Sequence, residues 1–470
     1  MSFGDRAVAW MATAIVATTV CYGVFRIPVQ VTDSLIPILD AQRGRSVIGA
    51  FTSGATDAGY FRPLRAAQIQ ALFEISNGHY FAAFKGFQAA TVLVTFALFL
   101  LVLQVDSRER VAALLFALTV LTGVHTFRGT VWEAYPVNHS LEVVAFCLLA
   151  FVLARSRGGW GTDVAAALTF VAATFTVESG LLVWVVVVAA WLTGARGISR
   201  RGVVIVTALL AAYLVMRFGY LRTGVPALSE RSSGFGLQQL GPGELQRRFG
   251  AWPYGFYAYN VISSILTVLF SEPRAGIWTV PSEFLRGRIA GGTIINIVSS
   301  TVTTALVVWF VVNRRREWLQ CKFDRDDQVV FVAVAVIVAN AVISYGYTKD
   351  EIMGPAGVFY ALAVFAAIAS MARGADLSGP RHGMVALTIV VAISASGWVV
   401  RAAGLHYQMH LMAFYDRNEW VYVDEWLANQ KSTPTTMEGK ALVQQLREEA
   451  LEHTTINPYL LSPRLDQWFR

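Results

Sequence analysis

Apolar runs of membrane-spanning length recur along this chain, at 7–25, 84–104, 111–127, 139–155, 202–219, 290–312, 328–345, 354–372 and 383–400. Crossing a bilayer core takes about 17–25 residues of helix, and lipid offers the backbone no hydrogen-bond partner, so each run is expected to be helical. Charged residues make up 15% of the 470, against roughly 25% in a typical soluble domain. The fold class that follows is an all-α polytopic membrane protein. The net charge of +7 gathers in short clusters between the runs. Such clusters set topology and meet anionic headgroups, so nucleic acid is not implied.

Arg108/Arg110, Arg155/Arg157, Arg196/Arg200/Arg201, Arg314–Arg316 and Arg373/Arg381 mark the cytoplasmic turns by the positive-inside rule. The stretch from Val164 to Trp191 is basic at both flanks and interrupted by Glu178-Ser179-Gly180. It is read as a hairpin of two short helices with Glu178 at the outer turn. That gives about eleven transmembrane helices, with the N-terminus cytoplasmic and the C-terminus extracytoplasmic. Tyr254 to Phe270 is apolar too, but an extra crossing there would put Arg314–Arg316 outside. It is expected to be an interfacial or re-entrant helix. Residues 1–400 then form one transmembrane domain with long outer loops at 27–83 and 220–289, and 401–470 a small extracytoplasmic tail. Ala, Val and Arg richness favours a bacterial plasma membrane over an endoplasmic reticulum.

Long loops on one face suggest that the chemistry happens on that face. Asp33 stands just past the first span, where a carboxylate costs free energy unless hydrated or paired and so often marks function. Asp40 is a second acid nearby. Pro63 is suited to the first turn of a helix, and Leu64, Ile69, Leu72 and Phe73 fall near helical period, with Asn77-Gly78 as the stop. Arg62 and Arg65 sit at the head of that helix, where guanidinium forks and open backbone N–H groups favour a phosphate. Arg217, Arg222 and Lys349 are rival cations at the outer ends of other spans. Glu133, His139 and Glu142 gather at the second outer turn. His139 and Glu142, three apart, share a helical face, but two ligands do not define a metal site. Tyr345 and Tyr347 flank the polar turn that holds Lys349.

Asp33 after the first span, Tyr60-Phe61-Arg62-Pro63-Leu64, the Gly78-His79-Tyr80 turn and the apolar Phe81–Leu101 run together resemble polytopic GT-C glycosyltransferases. The likeness is to their protein O-mannosyltransferase-like and tetratricopeptide-linked members. Tyr135-Pro136-Val137-Asn138-His139 and Val177-Glu178-Ser179-Gly180 are similar to later motifs of that group. The likeness covers residues 1–200 best and Tyr345–Pro355 more weakly. It implies a GT-C-like fold and a sugar donor linked to a polyprenyl monophosphate. The acceptor would be a cell-envelope glycan, glycolipid or protein on the outer face.

In that chemistry a carboxylate removes the acceptor proton and cations receive the departing phosphate. Asp33 is the expected general base. Arg62, Arg65, Arg217, Arg222 and Lys349 are the expected phosphate ligands. Asp40, Tyr60, Glu133, His139, Glu142, Glu178, Tyr345 and Tyr347 are expected to line the substrate site. Metal dependence varies across the resembled class, so the involvement of a divalent cation stays open. A transporter or flippase is the first rival reading and would carry essential acids near the membrane midplane. A non-enzymatic subunit that binds the lipid carrier is the second, and a glycan polymerase or ligase using a pyrophosphate donor the third.

Overall fold

A computed structural model of the chain describes residues 3–44, 46–56, 61–222, 228, 232–270, 278–346, 351–375, 381–453, 455 and 457. Helices α1 (Phe3–Val24), α2 (Leu35–Gln42), α3 (Val47–Thr56), α4 (Pro63–Ser76) and α5 (Tyr80–Leu103) come first. After them run α6 (Arg108–Gly123), α7 (His125–Trp132), α8 (His139–Ala154), α9 (Trp160–Thr176), α10 (Leu182–Leu192) and α11 (Arg200–Leu214). A π turn at Val215–Tyr220 ends α11, and a short hairpin pairs β1 (Ser233–Phe235) with β2 (Gln238–Leu240). The chain closes with α12 (Pro242–Phe249), α13 (Tyr254–Phe270), α14 (Thr279–Leu285), α15 (Gly291–Leu319), α16 (Arg325–Ile343), α17 (Gly354–Ala375), α18 (Arg381–Val421), α19 (Val423–Asn429) and α20 (Met437–Glu452).

Among the described residues, seven helices are long and apolar enough to cross a membrane, or eight if α6 and α7 count as one bent span. The seven comprise α1, α5, α11 with its π turn, α15, α16, and most of α17 and α18. Helices α8, α10 and α13 are apolar but shorter. The apolar run at 111–127 is not one straight helix. It breaks at Val124 between α6 and α7, which meet at 63°. Val124 takes an extended conformation there, with ψ 128°.

At the centre lies α17, whose spanning window is 89% buried. Its run of Ala, Phe, Val and Gly is apolar on every side, as a helix surrounded by protein must be. Gly354 and Gly357 let its first turn press against α7. A Cβ on either would come within 2.0 or 2.1 Å of the Thr130 or Thr126 hydroxyl oxygen. Small residues allow this close helix approach inside a membrane.

Two ends of the bundle are distinguishable by their contacts. At one, the arginine-bearing turns are laced together. Arg110 donates to Asp326 at 3.0 and 3.2 Å, and Arg373 pairs with the same carboxylate. Arg314 and the Trp318 indole both bind Asp327, while Arg325 reaches Asp106 and Arg108 reaches Asp5 near the chain start. Asp324 caps α16 by accepting from the Asp326 and Asp327 amides, each at 2.8 Å. That cap is why both acids point back into the cluster of arginines.

The same end holds both feet of the α9–α10 pair. Asp163, in the first turn of α9, accepts from the Ser199 amide and hydroxyl at 2.8 and 2.6 Å. Ser199 follows α10 and caps α11. The chain therefore rises through α9, turns at Glu178 and returns through α10. Helix α13 packs against α15 and α16. Its Asn260 donates to the Tyr345 carbonyl at the far end of α16, and its Leu269 carbonyl accepts from Thr304 in the middle of α15. Trp278 then lies back beside Tyr259, with ring centroids 6.5 Å apart.

At the opposite end the first loop and the C-terminal segment pack on each other. Helix α18 does not stop near residue 400 but continues unbroken to Val421. Arg401, which reads as a span terminus, is instead 3% exposed and bonds to Ser299 and Ser300 of α15 while covering Trp398. The loop at 220–289 carries more order than its Gly content suggests. Gly236, at φ +58°, makes the β1–β2 turn, and its amide donates to the Tyr259 hydroxyl at 2.8 Å. Phe235 packs on Phe249, Phe256 and Tyr259.

Removing one member of a buried ion pair leaves the other charge unsatisfied, at a cost of about 3–5 kcal/mol. Asp326→Ala should therefore strongly lower the unfolding temperature in detergent. Asp40→Ala, which releases only a half-exposed contact to Arg43, should cost less than about 1 kcal/mol. Equal, small shifts for the two variants would argue against the buried cluster.

Candidate functional site

Helix α4 begins at Pro63, with Arg62 at its N-cap and no side chain closing the cap. Phe61 is buried edge-on against Phe175 of α9 and Tyr213 of α11, with centroids 5.3 and 5.9 Å away. That anchor delivers Arg62 to the turn of the α9–α10 hairpin, where it bonds Glu178 at 2.8 Å. Arg217, in the π turn that ends α11, reaches the other oxygen of Glu178 at 3.2 Å and the Tyr213 hydroxyl at 2.9 Å. One carboxylate thus joins the first loop, the hairpin and α11.

Arg65, one turn into α4, lies 5.5 Å from the Tyr135 ring centroid. Its Nε is buried without a hydrogen-bond partner. Burial first, and then the charge of Arg62, lowers its guanidinium to about 10, while Tyr135, Asp33 and Glu178 act in the opposite sense. Arg65 remains a cation at neutral pH. Gln68, three residues on and so on the same face, donates to Glu142 at 2.6 Å. Glu142 itself lies three residues after His139, whose ring stacks on Tyr135 at 5.1 Å. Asn138 caps α8 by accepting from the Leu141 amide at 3.0 Å, which turns His139 and Glu142 toward α4.

Tyr135 lies between two kinds of charge. Burial pushes its hydroxyl well above the usual range. Glu133, which accepts its hydrogen bond, acts the same way, as do the charges of Asp33 and Glu351. It stays a neutral donor at any physiological pH. The Arg65 guanidinium thus borders its ring, while the charges of Glu133, Asp33 and Glu351 act on its hydroxyl.

Asp33 itself is exposed, in a turn ahead of α2 with φ 61°. Left-handed backbone is uncommon outside glycine, though Asp tolerates it better than most residues. The turn is held from outside. Glu419 of α18 accepts from the Val31 and Thr32 amides at 2.8 and 3.3 Å and from the Thr32 hydroxyl at 2.8 Å. Trp420 donates to the Val29 carbonyl at 2.6 Å, and the Gln30 amide to that of Ala134 at 3.2 Å. The last bond ties the Asp33 loop to the turn bearing Glu133 and Tyr135.

Of the residues singled out by sequence, Asp33, Arg62, Arg65, Glu133, His139, Glu142, Glu178 and Arg217 converge here. Tyr345 lies nearby, its ring edge-on to Tyr257 at 4.8 Å and its hydroxyl within reach of the Arg217 charge. Asp40 does not join: it is paired with exposed Arg43 at 2.6 Å. Arg222 is exposed beyond the π turn. Tyr60, Tyr347 and Lys349 lie outside the described residues. Tyr135, Gln68 and Glu351 had no assigned role in the sequence reading. The i+3 spacing of Gln68 from Arg65 was the available signal for the second of them. Among the described residues no group of three or more His, Cys, Asp or Glu side chains gathers as a metal site, so His139 and Glu142 gain no third ligand there.

Neither a protein-family model, nor a characterised protein, nor a solved structure matches this chain. What the site does is read from its residues alone.

Loss of the Glu419 carboxylate frees two backbone donors next to Asp33. Glu419→Ala should speed hydrogen exchange at the Val31 and Thr32 amides by about tenfold or more, with α4 and α8 unchanged. Unaltered exchange at both amides would show that Glu419 does not hold this turn.

Proposed function

We propose that this chain is an inverting GT-C-type glycosyltransferase. It would move a sugar from a polyprenyl-monophosphate carrier to a hydroxyl of an envelope glycan, glycolipid or protein. The reading includes eleven crossings, with α8, α9 and α10 counted beside the longer helices and α6–α7 taken as one. It also puts the arginine-laced end and the N-terminus in the cytoplasm, and the Arg65–Tyr135 site and the C-terminus outside. Residues 1–400 would form the catalytic membrane domain and 401–470 an outer segment that braces it.

The observation that carries this reading is Tyr135, with the Arg65 guanidinium over its ring and the carboxylates of Glu133 and Asp33 acting on its hydroxyl. A lipid phosphate bound by Arg65, Arg62 and Arg217 would present the anomeric carbon toward Tyr135 and Asp33. Guanidinium forks match two phosphate oxygens at once, which a lysine does not. Asp33 takes the proton of the acceptor hydroxyl as its oxygen attacks the anomeric carbon. The carbon–oxygen bond to phosphate breaks on the opposite side, and the phosphate leaves with the electron pair into the arginine seat. Positioned cations that meet charge as it develops lower such a barrier most. Tyr135, kept neutral, donates a hydrogen bond at the boundary and does not compete with Asp33 for the proton. Glu178 fixes the orientation of Arg62 and Arg217. The exposure of Asp33 suits a base that must meet an incoming acceptor.

Purified protein in nanodiscs, supplied with polyprenyl-phosphate mannose or glucose and an envelope extract as acceptor, tests the proposal. Asp33→Asn should reduce turnover by about two to four powers of ten, the scale of general-base loss. Arg65→Ala should raise the donor KM by about tenfold or more, since it deletes a charge-assisted contact. Full turnover by Asp33→Asn would refute the base assignment. Movement of the lipid across proteoliposomes without sugar transfer would favour the transport reading instead.

A further inference from the structure

A cavity lies along the same helix. It has a volume of about 460 Å³ and opens where α2, α4 and the start of α5 meet. Gln42, Gln70, Phe73, Glu74, Asn77 and Tyr80 line it. Glu74 follows Arg65 by nine residues, so the cavity stands about 14 Å along the α4 axis from the cationic seat.

Its walls are fixed by contacts that leave the polar ends of the lining available. Gln70 is buried and donates to the Ala41 carbonyl at 3.2 Å and to Glu74 at 3.0 Å. This ties α4 to α2 and orients the Glu74 carboxylate. Phe73 and Tyr80 stack ring on ring, 4.8 Å apart at 18°, and both are only half-buried. Asn77 ends α4 in left-handed backbone at φ 45°, and Gly78 follows at φ 91°. Gln445 of α20 clamps that corner by donating to the Gly78 carbonyl.

This lining discriminates among ligand chemistries. An acyl chain would bury Gln42, Glu74 and Asn77 against hydrocarbon, which is costly for polar and charged groups. A phosphate or other anion would face Glu74. A hydroxyl both donates and accepts, as do the side-chain amides of Gln42 and Asn77, and a carboxylate accepts from two hydroxyls at once. The aromatic pair supplies an apolar face for the C–H side of a sugar ring. Uncharged, hydroxyl-rich and partly apolar describes a neutral oligosaccharide.

We infer that this cavity holds the non-reacting part of a neutral glycan acceptor, so that one oligosaccharide lies along α4 with its reacting hydroxyl at Asp33. This rests on the transferase reading for the fate of the glycan, but binding is a separate property. Glycan binding also gives the stacking of Phe73 on Tyr80 and the clamp on Gly78 a common purpose, that of keeping the cavity open.

The test is binding of mannohexaose and maltohexaose, measured calorimetrically on the full chain in nanodiscs without lipid donor. Wild type should bind at least one of the two. The double variant Glu74→Ala/Asn77→Gly removes two exposed polar groups and keeps a residue at 77 that accepts left-handed backbone. It should bind at least about tenfold more weakly, with an unfolding temperature close to that of wild type. Absence of binding by wild type to both hexasaccharides, or undiminished binding by the double variant, would overturn the inference. If binding follows the expected pattern but no sugar is ever transferred, the transferase reading fails and the cavity stands. If transfer occurs and the double variant leaves both binding and the acceptor KM untouched, the cavity assignment fails alone.

Discussion

The Glu178 carboxylate, held between Arg62 and Arg217, is the contact on which the candidate site depends. It is a loop residue, at the turn between α9 and α10, and its two oxygens are taken by guanidiniums from a separate loop and a separate helix. Neither α9 nor α10 is long, and their turn needs an anchor. The feet of the pair are fixed at the other end by Asp163 and Ser199. The hairpin height is therefore set, and Glu178 meets the head of α4 where Phe61 has already been wedged between Phe175 and Tyr213. An ion pair of this kind adds little net stability, because desolvation offsets much of the attraction. Its effect is geometric: it fixes the direction in which Arg62 and Arg217 point.

The first loop is short of secondary structure between α1 and α2, and the chain supplies its missing partners from nearly four hundred residues away. Glu419 satisfies two amides of that loop, Trp420 its Val29 carbonyl, and Glu449 the Phe81 amide at the head of α5. Buried or half-buried backbone groups must find partners, and here they find them on α18 and α20. The apolar side of the same junction joins Leu35, Ile38 and Leu39 to Trp420, Val423, Leu427 and Leu446. The C-terminal segment is thus part of the scaffold that places Asp33, rather than an appendage beside it.

How much of this was legible in the sequence varied with the range of the interaction. Local signals were accurate. Pro63 opens α4, Asn77-Gly78 closes it, and Glu178 does stand at the turn of a hairpin. Tyr254 to Phe270 does form one apolar helix, shorter than the seven spanning ones. Long-range packing was not legible. Arg401 looks like the end of a span because arginine is costly in lipid, yet Ser299, Ser300 and the Trp398 ring absorb it and α18 runs on. The break at Val124 has no proline to announce it. The gathering of Arg65, Tyr135, Gln68 and Glu142 joins two helices that are distant in sequence, with only the i, i+3 spacing on each as a trace. Asp40 pairs with Arg43 because three residues along a helix bring those two together.

The two ends of the bundle treat arginine differently. At the laced end, Asp326 and Asp327 are nearly inaccessible, and Arg110, Arg314 and Arg373 close on them in fixed pairs. Every strong contact there is consumed in joining α6, α15, α16 and α17, which leaves a rigid base. At the other end Arg65 borders a neutral tyrosine ring, with Arg62 and carboxylates at greater range and its Nε without a partner. Arginines at the first end are fixed in pairs with carboxylates, whereas the Nε of Arg65 at the other end has no hydrogen-bond partner.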